Sequence, residues 1–367
     1  MSTTPRPPVP MAGFQPDPNA DRTLVTVADY ERAAAARLPA GPLAYYAGGA
    51  MDERTLADNL AAFRRRRLVP RMMRDVSTVD LSTTILGRRW PLPLWVAPTA
   101  LQRMAHPDGE LATARAAAAR DITFGLSSSA STDMADIAAI GGPRWYQVYL
   151  LADPGARRAM VERAIAHGYE ALVLTVDLQR LGRRERDIRV GFTIPPGVYL
   201  PNIAVAAGVA PADAPQVPFI ASLQWDHLEW LAGFGRPVLI KGILHPDDAR
   251  LAVDHGAAGI VVSNHGGRQL DGTIASLDAL PAIVDAVAGR VPVLLDGGVR
   301  RGTDILVALA LGAAAVGIGR PALWGLAVDG EHGVARVLDL LAGELDLAMA
   351  LSGSADITAV DAALLAP

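Results

Sequence analysis

The segment GIVVSNHGGRQLDG, residues 259–272, runs from an apolar stretch directly into a histidine, and an arginine follows three residues later. An imidazole has an unperturbed pKa near working pH, so His265 is suited to accept a proton from a substrate. A guanidinium binds carboxylates in a planar, bidentate manner, and Arg268 could do this for the same molecule. The two glycines between them can turn the chain so that both side chains face one pocket.

Polar side chains also stand at the ends of the apolar runs along the whole chain. They are Thr99, Ser127, Gln147, Tyr149, Thr175, Asp177, Lys241, Ser263 and Asp296. One polar group in such a place is usually structural, but its recurrence along successive runs indicates a site. If the runs are parallel strands of a barrel, their C-terminal ends meet at one rim, and these side chains are expected to lie close together there.

Short apolar runs alternate with longer Ala-rich helical runs eight times along the chain. The strand-like runs are LPLWVAP, ITFGLSS, WYQVY, ALVLTVD, PVLIKG, GIVVSN, VPVLLDGG and AAVGIGRP. Eight strand–helix pairs are the number in a (β/α)8 TIM barrel. A doubly wound sheet shares the alternation, but we favour the barrel because no central glycine fingerprint is present. Before the first pair, residues 25–80 predict a helical N-terminal extension, packed across the base or side of the barrel.

The fourth strand–helix pair is interrupted by a long segment, residues 178–223. Long connections in compact domains often cover active sites, so we interpret this one as a lid insertion after strand 4. Its low charge would also permit a weak membrane contact, which its prolines and the absence of a basic amphipathic pattern disfavour. We therefore predict a flexible extension over residues 1–24 and a single catalytic domain over residues 25–367.

Composition narrows the class of partner. Lys and Arg total 34 against 38 Asp and Glu, a net charge of −4, so no basic excess points to nucleic acid. The absence of cysteine excludes disulfides, thiolate metal sites and thiol nucleophiles. Neither a signal-peptide pattern nor an apolar run of about 20 residues is present. These features favour a cytoplasmic enzyme that acts on a small molecule and makes no contact with membranes.

Two glycine-rich loops near the C-terminal end of the pattern are suited to phosphate. DGGVRRG follows the seventh strand-like run and GIGRP follows the eighth. Glycines let backbone N–H groups approach an anion, and Arg300 and Arg320 add charge and donors. Many barrels hold a phosphate at this place.

Several stretches together resemble the family of FMN-dependent 2-hydroxy-acid oxidases and dehydrogenases, which includes glycolate oxidase, lactate oxidase and mandelate dehydrogenase. They are APTALQRMAHPDGE, WYQVYL, LTVDLQRLGRRERD, LIKGIL, GAAGIVVSNHGGRQLDG, VLLDGGVRRGTD and IGRP. The resemblance covers most of the chain from about residue 25. It implies FMN as cofactor, no metal, oxidation of an (S)-2-hydroxy acid to the 2-oxo acid, and a homotetramer.

The same resemblance implies roles for particular residues. His265 would accept the hydroxyl proton, and Asp177 would orient this imidazole. The substrate-binding residues would be Tyr45, Tyr149, Arg184 and Arg268, with Tyr149 beside the reacting hydroxyl. Lys241 would face the flavin ring, and the other cofactor-binding residues would be Thr99, Ala100, Ser127, Gln147, Thr175, Ser263, Asp296, Gly298, Arg300, Gly319 and Arg320.

One departure from the family pattern bears on the substrate. Where short-chain glycolate oxidases have a tryptophan in SSWAT, this chain has SSSAS, with Ser129 at that place. A small side chain there predicts a wider pocket and a medium or bulky substrate, such as an aryl acid of the mandelate type. The lid is also shorter than in glycolate oxidase.

The electron acceptor and the reaction class leave alternatives open. Because no haem domain is fused to the chain, we expect dioxygen as acceptor, giving hydrogen peroxide. The alternative is a dehydrogenase that uses a quinone or a carrier protein. Two further classes are an FMN-dependent isomerase and a regulator that only binds a ligand, and the set of catalytic candidates argues against both.

Overall fold

Eight parallel strands form a closed barrel in a computed structural model that describes residues 23–366. The predicted flexible extension, residues 1–24, thus lies almost entirely outside the described residues. A two-stranded hairpin, β1 (Thr83–Ile85) and β2 (Arg88–Trp90), precedes the barrel. The barrel strands are β3 (Leu94–Val96), β4 (Thr123–Ser127), β5 (Arg144–Val148), β6 (Ala171–Thr175), β7 (Val238–Ile243), β8 (Gly259–Val262), β9 (Val293–Asp296) and β10 (Ala315–Ile318). The predicted (β/α)8 barrel is confirmed.

Helices surround the barrel and also form the N-terminal extension. They are α1 (Val27–Arg37), α2 (Ala40–Ala47), α3 (Arg54–Arg65), α4 (Gly109–Ala118), α5 (Met134–Ile140), α6 (Pro154–Ala166), α7 (Glu185–Arg189), α8 (Pro201–Ala207), α9 (Trp225–Ala232), α10 (Pro246–Asp254), α11 (Ser276–Val287), α12 (Gly302–Ala310) and α13 (Arg320–Ser352). Non-helical dihedral angles at Asp329 and Gly330 divide α13 into two parts. Among the helices of residues 23–366, none is long and apolar enough to cross a membrane.

The register of the barrel strands determines which polar residues meet at the rim. Most strand residues are buried, as expected where helices cover the outside and side chains fill the inside. Ser127 on β4 pairs with Gln147 on β5, and Thr175 on β6 pairs with Lys241 on β7. Neighbouring strands therefore end with polar residues side by side at their carboxyl ends.

The base of the barrel is closed by the β1–β2 hairpin, which the sequence analysis did not predict. Its turn residues Leu86 and Gly87 have φ angles of 49° and 79°, as the tight turn of a two-residue hairpin requires. The Trp90 ring packs 5.3 Å from the Trp145 ring, and the Trp95 ring lies at the same distance from the Trp145 ring. These aromatic rings form a separate apolar cluster inside the barrel.

The helical extension packs against the side of the barrel and reaches its mouth. Helix α1 packs along α13, and α3 contacts α11. Helix α2 lies at the mouth, where the backbone carbonyl of Tyr45 accepts a hydrogen bond from Arg268. The expected position across the side is therefore correct, whereas the base is occupied by the hairpin.

The segment predicted as a lid contains the short helices α7 and α8. Its far end is attached to the barrel by an antiparallel bridge between Leu151 and Phe219, where Ile220 N donates to Leu150 O at 2.8 Å. Asn202 on α8 is fully buried and donates to Thr132 O at 3.0 Å. The segment is thus anchored, and its function as a lid stays a prediction.

Trp90→Ala should destabilise the protein by about 3–5 kcal/mol, because it removes a large buried side chain from the plug at the base. The measurement is the free energy of unfolding in urea. Arg89→Ala is the matched control, since the Arg89 side chain is 74% exposed on the same strand. Equal stability of the two variants would contradict the assignment of the hairpin as a plug.

Candidate active site

One cavity opens at the carboxyl ends of the barrel strands. The predicted site residues that line it are Tyr45, Thr99, Ala100, Ser127, Ser129, Gln147, Tyr149, Thr175, Arg184, Lys241, His265, Arg268, Asp296, Gly298, Arg300, Gly319 and Arg320. The two others lie behind the wall. Asp177 bonds to the His265 ring, and Ser263 accepts a hydrogen bond from Lys241. The structure therefore brings all of them into one region, and their individual roles stay predictions.

His265 and Asp177 form a hydrogen-bonded pair at the rim. Asp177 Oδ1 lies 2.8 Å from His265 Nδ1, so the carboxylate favours the tautomer with its proton on Nδ1 and leaves Nε2 free to accept another. Burial lowers the pKa of His265 below its ordinary value of 6.5, although Asp177 acts in the opposite direction. Burial would raise the pKa of Asp177, but His265 and Lys241 together hold it below its usual range. The pair is thus a neutral imidazole beside an ionised carboxylate.

Two guanidinium groups approach the Tyr45 ring, one from the residue that precedes α7 and one from the loop after β8. Arg268 lies 4.9 Å and Arg184 5.8 Å from the ring centroid. Their hydrogen bonds go to backbone carbonyls and to the Gln269 amide oxygen rather than to carboxylates. Burial and the neighbouring Arg184 lower the pKa of Arg268 to about 10. Two like charges held together in this way are suited to bind a carboxylate.

A buried cation also stands in the cavity wall. Lys241 on β7 donates to Ser263 Oγ at 2.9 Å and lies 3.2 Å from Asp296 Oδ2. The side chains of Lys241 and Asp296 are 6% and 10% exposed. The positive charge is therefore fixed in place by one partner that follows the neighbouring strand β8 and one at the end of β9.

Three buried polar atoms in the cavity wall have no hydrogen-bond partner among the described residues. They are Gln147 Nε2, Asp296 Oδ1 and Arg300 Nε. Gln147 Oε1 accepts from Ser127 Oγ at 3.0 Å, which leaves the amide nitrogen to a ligand. A donor, a carboxylate acceptor and a guanidinium match the ring carbonyls, ribityl hydroxyls and phosphate of FMN. The chemistry of the wall thus fits this cofactor.

Arg320, which is predicted to contact phosphate, also has a structural role. It donates three hydrogen bonds, each 2.9 Å long, to the carbonyl oxygens of Tyr46, Gly48 and Gly266. A guanidinium has five N–H donors, so two remain for an anion. Arg320 also joins helix α2 to the loop that carries His265.

Helix α4 supports the first strand end from behind. Thr113 Oγ1 donates to Gln102 Oε1 at 2.6 Å, and Gln102 Nε2 donates to Thr99 Oγ1 at 2.8 Å. Because Thr99 Oγ1 accepts this hydrogen bond, its own hydroxyl proton is free to be donated to another group. Thr99 lines the cavity, so that group can be a bound ligand. The buried Glu110 carboxylate accepts from Gln102 N and Ser131 N at 3.0 and 2.8 Å, which joins the loops after β3 and β4.

The wall also contains residues that the sequence analysis did not name as site residues. Four of them with large side chains are Tyr46, Leu178, Leu181 and Phe219. Tyr46 donates to Leu101 O at 2.6 Å, while the Phe219 ring packs 5.3 Å from the Tyr149 ring. The apolar character of the lid segment was visible in the sequence, but which of its residues turn inward depends on the antiparallel bridge at Leu151.

A (β/α)8 barrel with this set of unpaired polar atoms and fixed cations is suited to a flavin-dependent oxidoreductase. The family model described as FMN-dependent dehydrogenase matches residues 34–367, and the chain belongs to this family. The predicted family and the predicted cofactor, FMN, are therefore confirmed.

Relatives and solved structures agree with this assignment. The chain is 49% identical over 356 residues to L-lactate oxidase from Nostoc sp., covering 93% of this chain and 98% of the relative. It is 46% identical over 361 residues to human 2-hydroxyacid oxidase 1, with coverage of 93% and 96%. The structure of mandelate oxidase with benzoyl-formic acid superposes with a TM-score of 0.87 at 44% identity, covering 93% of this chain and 98% of that one.

Lys241→Met should destabilise the apoprotein by roughly 3–5 kcal/mol, because it leaves the buried Asp296 carboxylate without its cation. The melting temperature of the apoprotein measures this. The double variant Lys241→Met/Asp296→Asn removes both charges and should recover much of the loss. If single and double variants melted at the same temperature, the ion pair would not be the reason for the loss.

Proposed function

We propose that the protein oxidises a medium or bulky (S)-2-hydroxy acid to the 2-oxo acid and passes the electrons to dioxygen, giving hydrogen peroxide. The observation that carries this proposal is the position of the His265–Asp177 pair beside two guanidinium groups without carboxylate partners. A proton acceptor and a carboxylate site at one rim suit a molecule that bears a hydroxyl next to a carboxylate.

Arg184 and Arg268 hold the substrate carboxylate in this proposal, and Tyr45 donates its phenol to the same group. The Tyr45 ring stacks on Phe192 at 4.9 Å, which fixes its plane between the lid segment and the rim. Because burial and Arg184 already disfavour the charge on Arg268, a bound anion relieves the repulsion between the two cations. The charge pattern thus selects acids over neutral alcohols.

His265 Nε2 then accepts the hydroxyl proton. The imidazolium that results is stabilised by Asp177 at Nδ1, and the Tyr149 phenol lies at the same part of the wall, where burial raises its pKa and keeps it protonated. FMN, when bound, supplies the acceptor for the hydride that leaves the α-carbon. Lys241 places a fixed positive charge on this wall, where negative charge develops during the reaction.

The substrate side chain would lie between Ser129 and the apolar lid residues Leu178, Leu181 and Phe219, all of which line the cavity. Ser129 occupies little volume, and the Phe219 ring is held in place by its contact with Tyr149. An aryl group can pack against such an aromatic face. The likeness to mandelate oxidase crystallised with benzoyl-formic acid supports an aryl or similarly bulky substrate.

Dioxygen is the proposed acceptor because the similar proteins from Nostoc sp. and human are both named as oxidases. A quinone or carrier protein is the alternative acceptor. The homotetramer implied by the family resemblance and the cytoplasmic location favoured by composition stay predictions.

A panel of 2-hydroxy acids tests the proposal. Each acid is added without oxygen to the yellow holoprotein, and the absorbance of the bound cofactor is followed. Bleaching by mandelate or longer acids supports the substrate class, and rapid return of the colour with peroxide on admission of air supports dioxygen. No bleaching by any acid would refute the activity, and a lasting bleached state in air would indicate the alternative acceptor.

His265→Ala should lower the rate of anaerobic reduction by roughly 10²–10⁴-fold while the cofactor stays bound, because the base is lost. Since the pKa of His265 lies below 6.5, kcat/KM should be constant at neutral pH and fall only as the pH decreases through that lower value.

Asp177→Asn provides the matched test of this pH dependence. The carboxylate raises the pKa of His265 against the effects of burial, Lys241 and Arg184. Its removal should move the acidic fall in kcat/KM to still lower pH and reduce the rate on the plateau. A shift of that fall to higher pH would contradict the assignment of His265 as the base.

Ser129→Trp should reduce kcat/KM for mandelate by roughly 10–100-fold, because the indole fills the space of the aryl group. Activity with lactate should change much less. Ser129→Ala, which adds no volume, is the control and should keep both activities. If the wild-type protein oxidised glycolate much faster than mandelate, the wider pocket would be the wrong interpretation.

A further inference from the structure

Two buried asparagines join the helical extension to the loop that carries His265, defined here as the base loop, residues 264–268. Asn59 lies on α3, and Asn264 immediately precedes His265. Asn59 Nδ2 donates to Asn264 Oδ1 at 2.8 Å, and Asn264 Nδ2 donates to Asn59 Oδ1 at 2.7 Å. Their exposures are 2% and 4%, so water does not compete for this reciprocal contact.

The pair makes three further hydrogen bonds inside the protein. Asn264 Oδ1 accepts from Gly267 N at 3.1 Å, and Asn264 Nδ2 donates to Ile274 O at 3.2 Å. Asn59 Oδ1 accepts from Ser276 N at 3.3 Å. The pair thus holds both ends of the turn that follows β8.

The base loop needs such support because of its backbone conformation. His265, Gly266 and Gly267 have φ angles of 59°, 65° and 75°, all in the left-handed region. For a non-glycine residue this conformation is unfavourable and persists only where surrounding contacts impose it. The hydrogen bond from Gly267 N to Asn264 Oδ1 closes the turn around His265.

Asn59 also contacts the loop that follows β9, defined here as the phosphate loop, residues 297–300. A Cβ atom on Gly298, whose φ is 89°, would lie 2.2 Å from Asn59 O. A Cβ atom on Gly297 would lie 3.5 Å from Asn59 Nδ2 and 3.6 Å from Asn264 Oδ1. The phosphate loop therefore packs on the Asn59 backbone through Gly298, and through Gly297 it lies in van der Waals contact with the two side-chain amides.

We propose that Asn59 is a positioning residue that couples the phosphate loop to the base loop. A phosphate group held by Arg300 restricts the phosphate loop against Asn59, and the amide pair transmits this restriction to the backbone of His265. The cofactor phosphate would thus set the geometry of the base as well as contribute to binding. The inference rests on the proposed function, since it assigns the phosphate to this loop and the base to His265.

Riboflavin tests the coupling because it is FMN without the phosphate. Apoprotein of the wild type and of Asn59→Ala is titrated with each flavin, and the two dissociation constants are compared. The wild type should bind FMN more tightly than riboflavin, and Asn59→Ala should reduce that ratio by roughly tenfold. In anaerobic reduction by substrate, the wild type should react faster with FMN than with riboflavin. The Asn59→Ala variant should react with the two flavins at similar rates, and its rate with FMN should be roughly 10–100-fold below that of the wild type.

Asn202→Ala is the matched control, since Asn202 is another fully buried asparagine that bridges two elements, with Met134 N donating to its side chain at 2.8 Å. Asn202→Ala should lower the melting temperature. The ratio of the two dissociation constants and the ratio of the two reduction rates, FMN against riboflavin, should both stay at their wild-type values. If Asn59→Ala fails to fold, Asn59→Ser retains a polar side chain there and takes its place.

The coupling would be overturned if Asn59→Ala left the FMN-to-riboflavin ratio of dissociation constants unchanged, or if it slowed flavin reduction equally with both flavins. Asn59 would then be a packing residue. Failure of the proposed function is distinguishable, because a wild type that no hydroxy acid reduces still yields the two binding ratios.

Discussion

Closure of eight parallel strands is the constraint on which the rest of the structure depends. It leaves every carboxyl end of a strand at one rim, so residues as far apart in sequence as Leu94 and Val316 become neighbours. The register of the strands then determines which side chains are adjacent at the rim, since it places Thr175 beside Lys241 and Ser127 beside Gln147. The catalytic candidates need no special local fold beyond the loop around His265, where the chain adopts a left-handed conformation.

The electrostatics of the rim follow from crowding charged groups into a place with little water. Burial weakens the charge on His265 and on Arg268, while pairing preserves the charge on Asp177. The mouth thus presents a neutral imidazole near fixed cations, a combination that favours an anionic ligand. The burial of these charged side chains therefore affects both the stability of the protein and the protonation states at the rim.

Much of the fold and the site could be predicted from the sequence, because strand runs with polar ends are a local pattern. The β1–β2 hairpin was missed since its strands have three residues each, too few for a periodic signal. Phe219 and Asn59 were missed for another reason. Phe219 reaches the wall through a bridge to Leu151, and Asn59 meets Asn264 across 205 positions, so neither contact leaves a local pattern.

The aromatic plug formed by Trp90, Trp95 and Trp145 has a kinetic consequence. The plug fills the base, whereas the cavity opens at the carboxyl ends of the strands, at the other end of the barrel. Under the proposed function, the organic acid and the electron acceptor would share this opening. Shared access would favour a substituted-enzyme kinetic order, in which the first product departs before the second reactant arrives, and it would let excess acid act as an inhibitor.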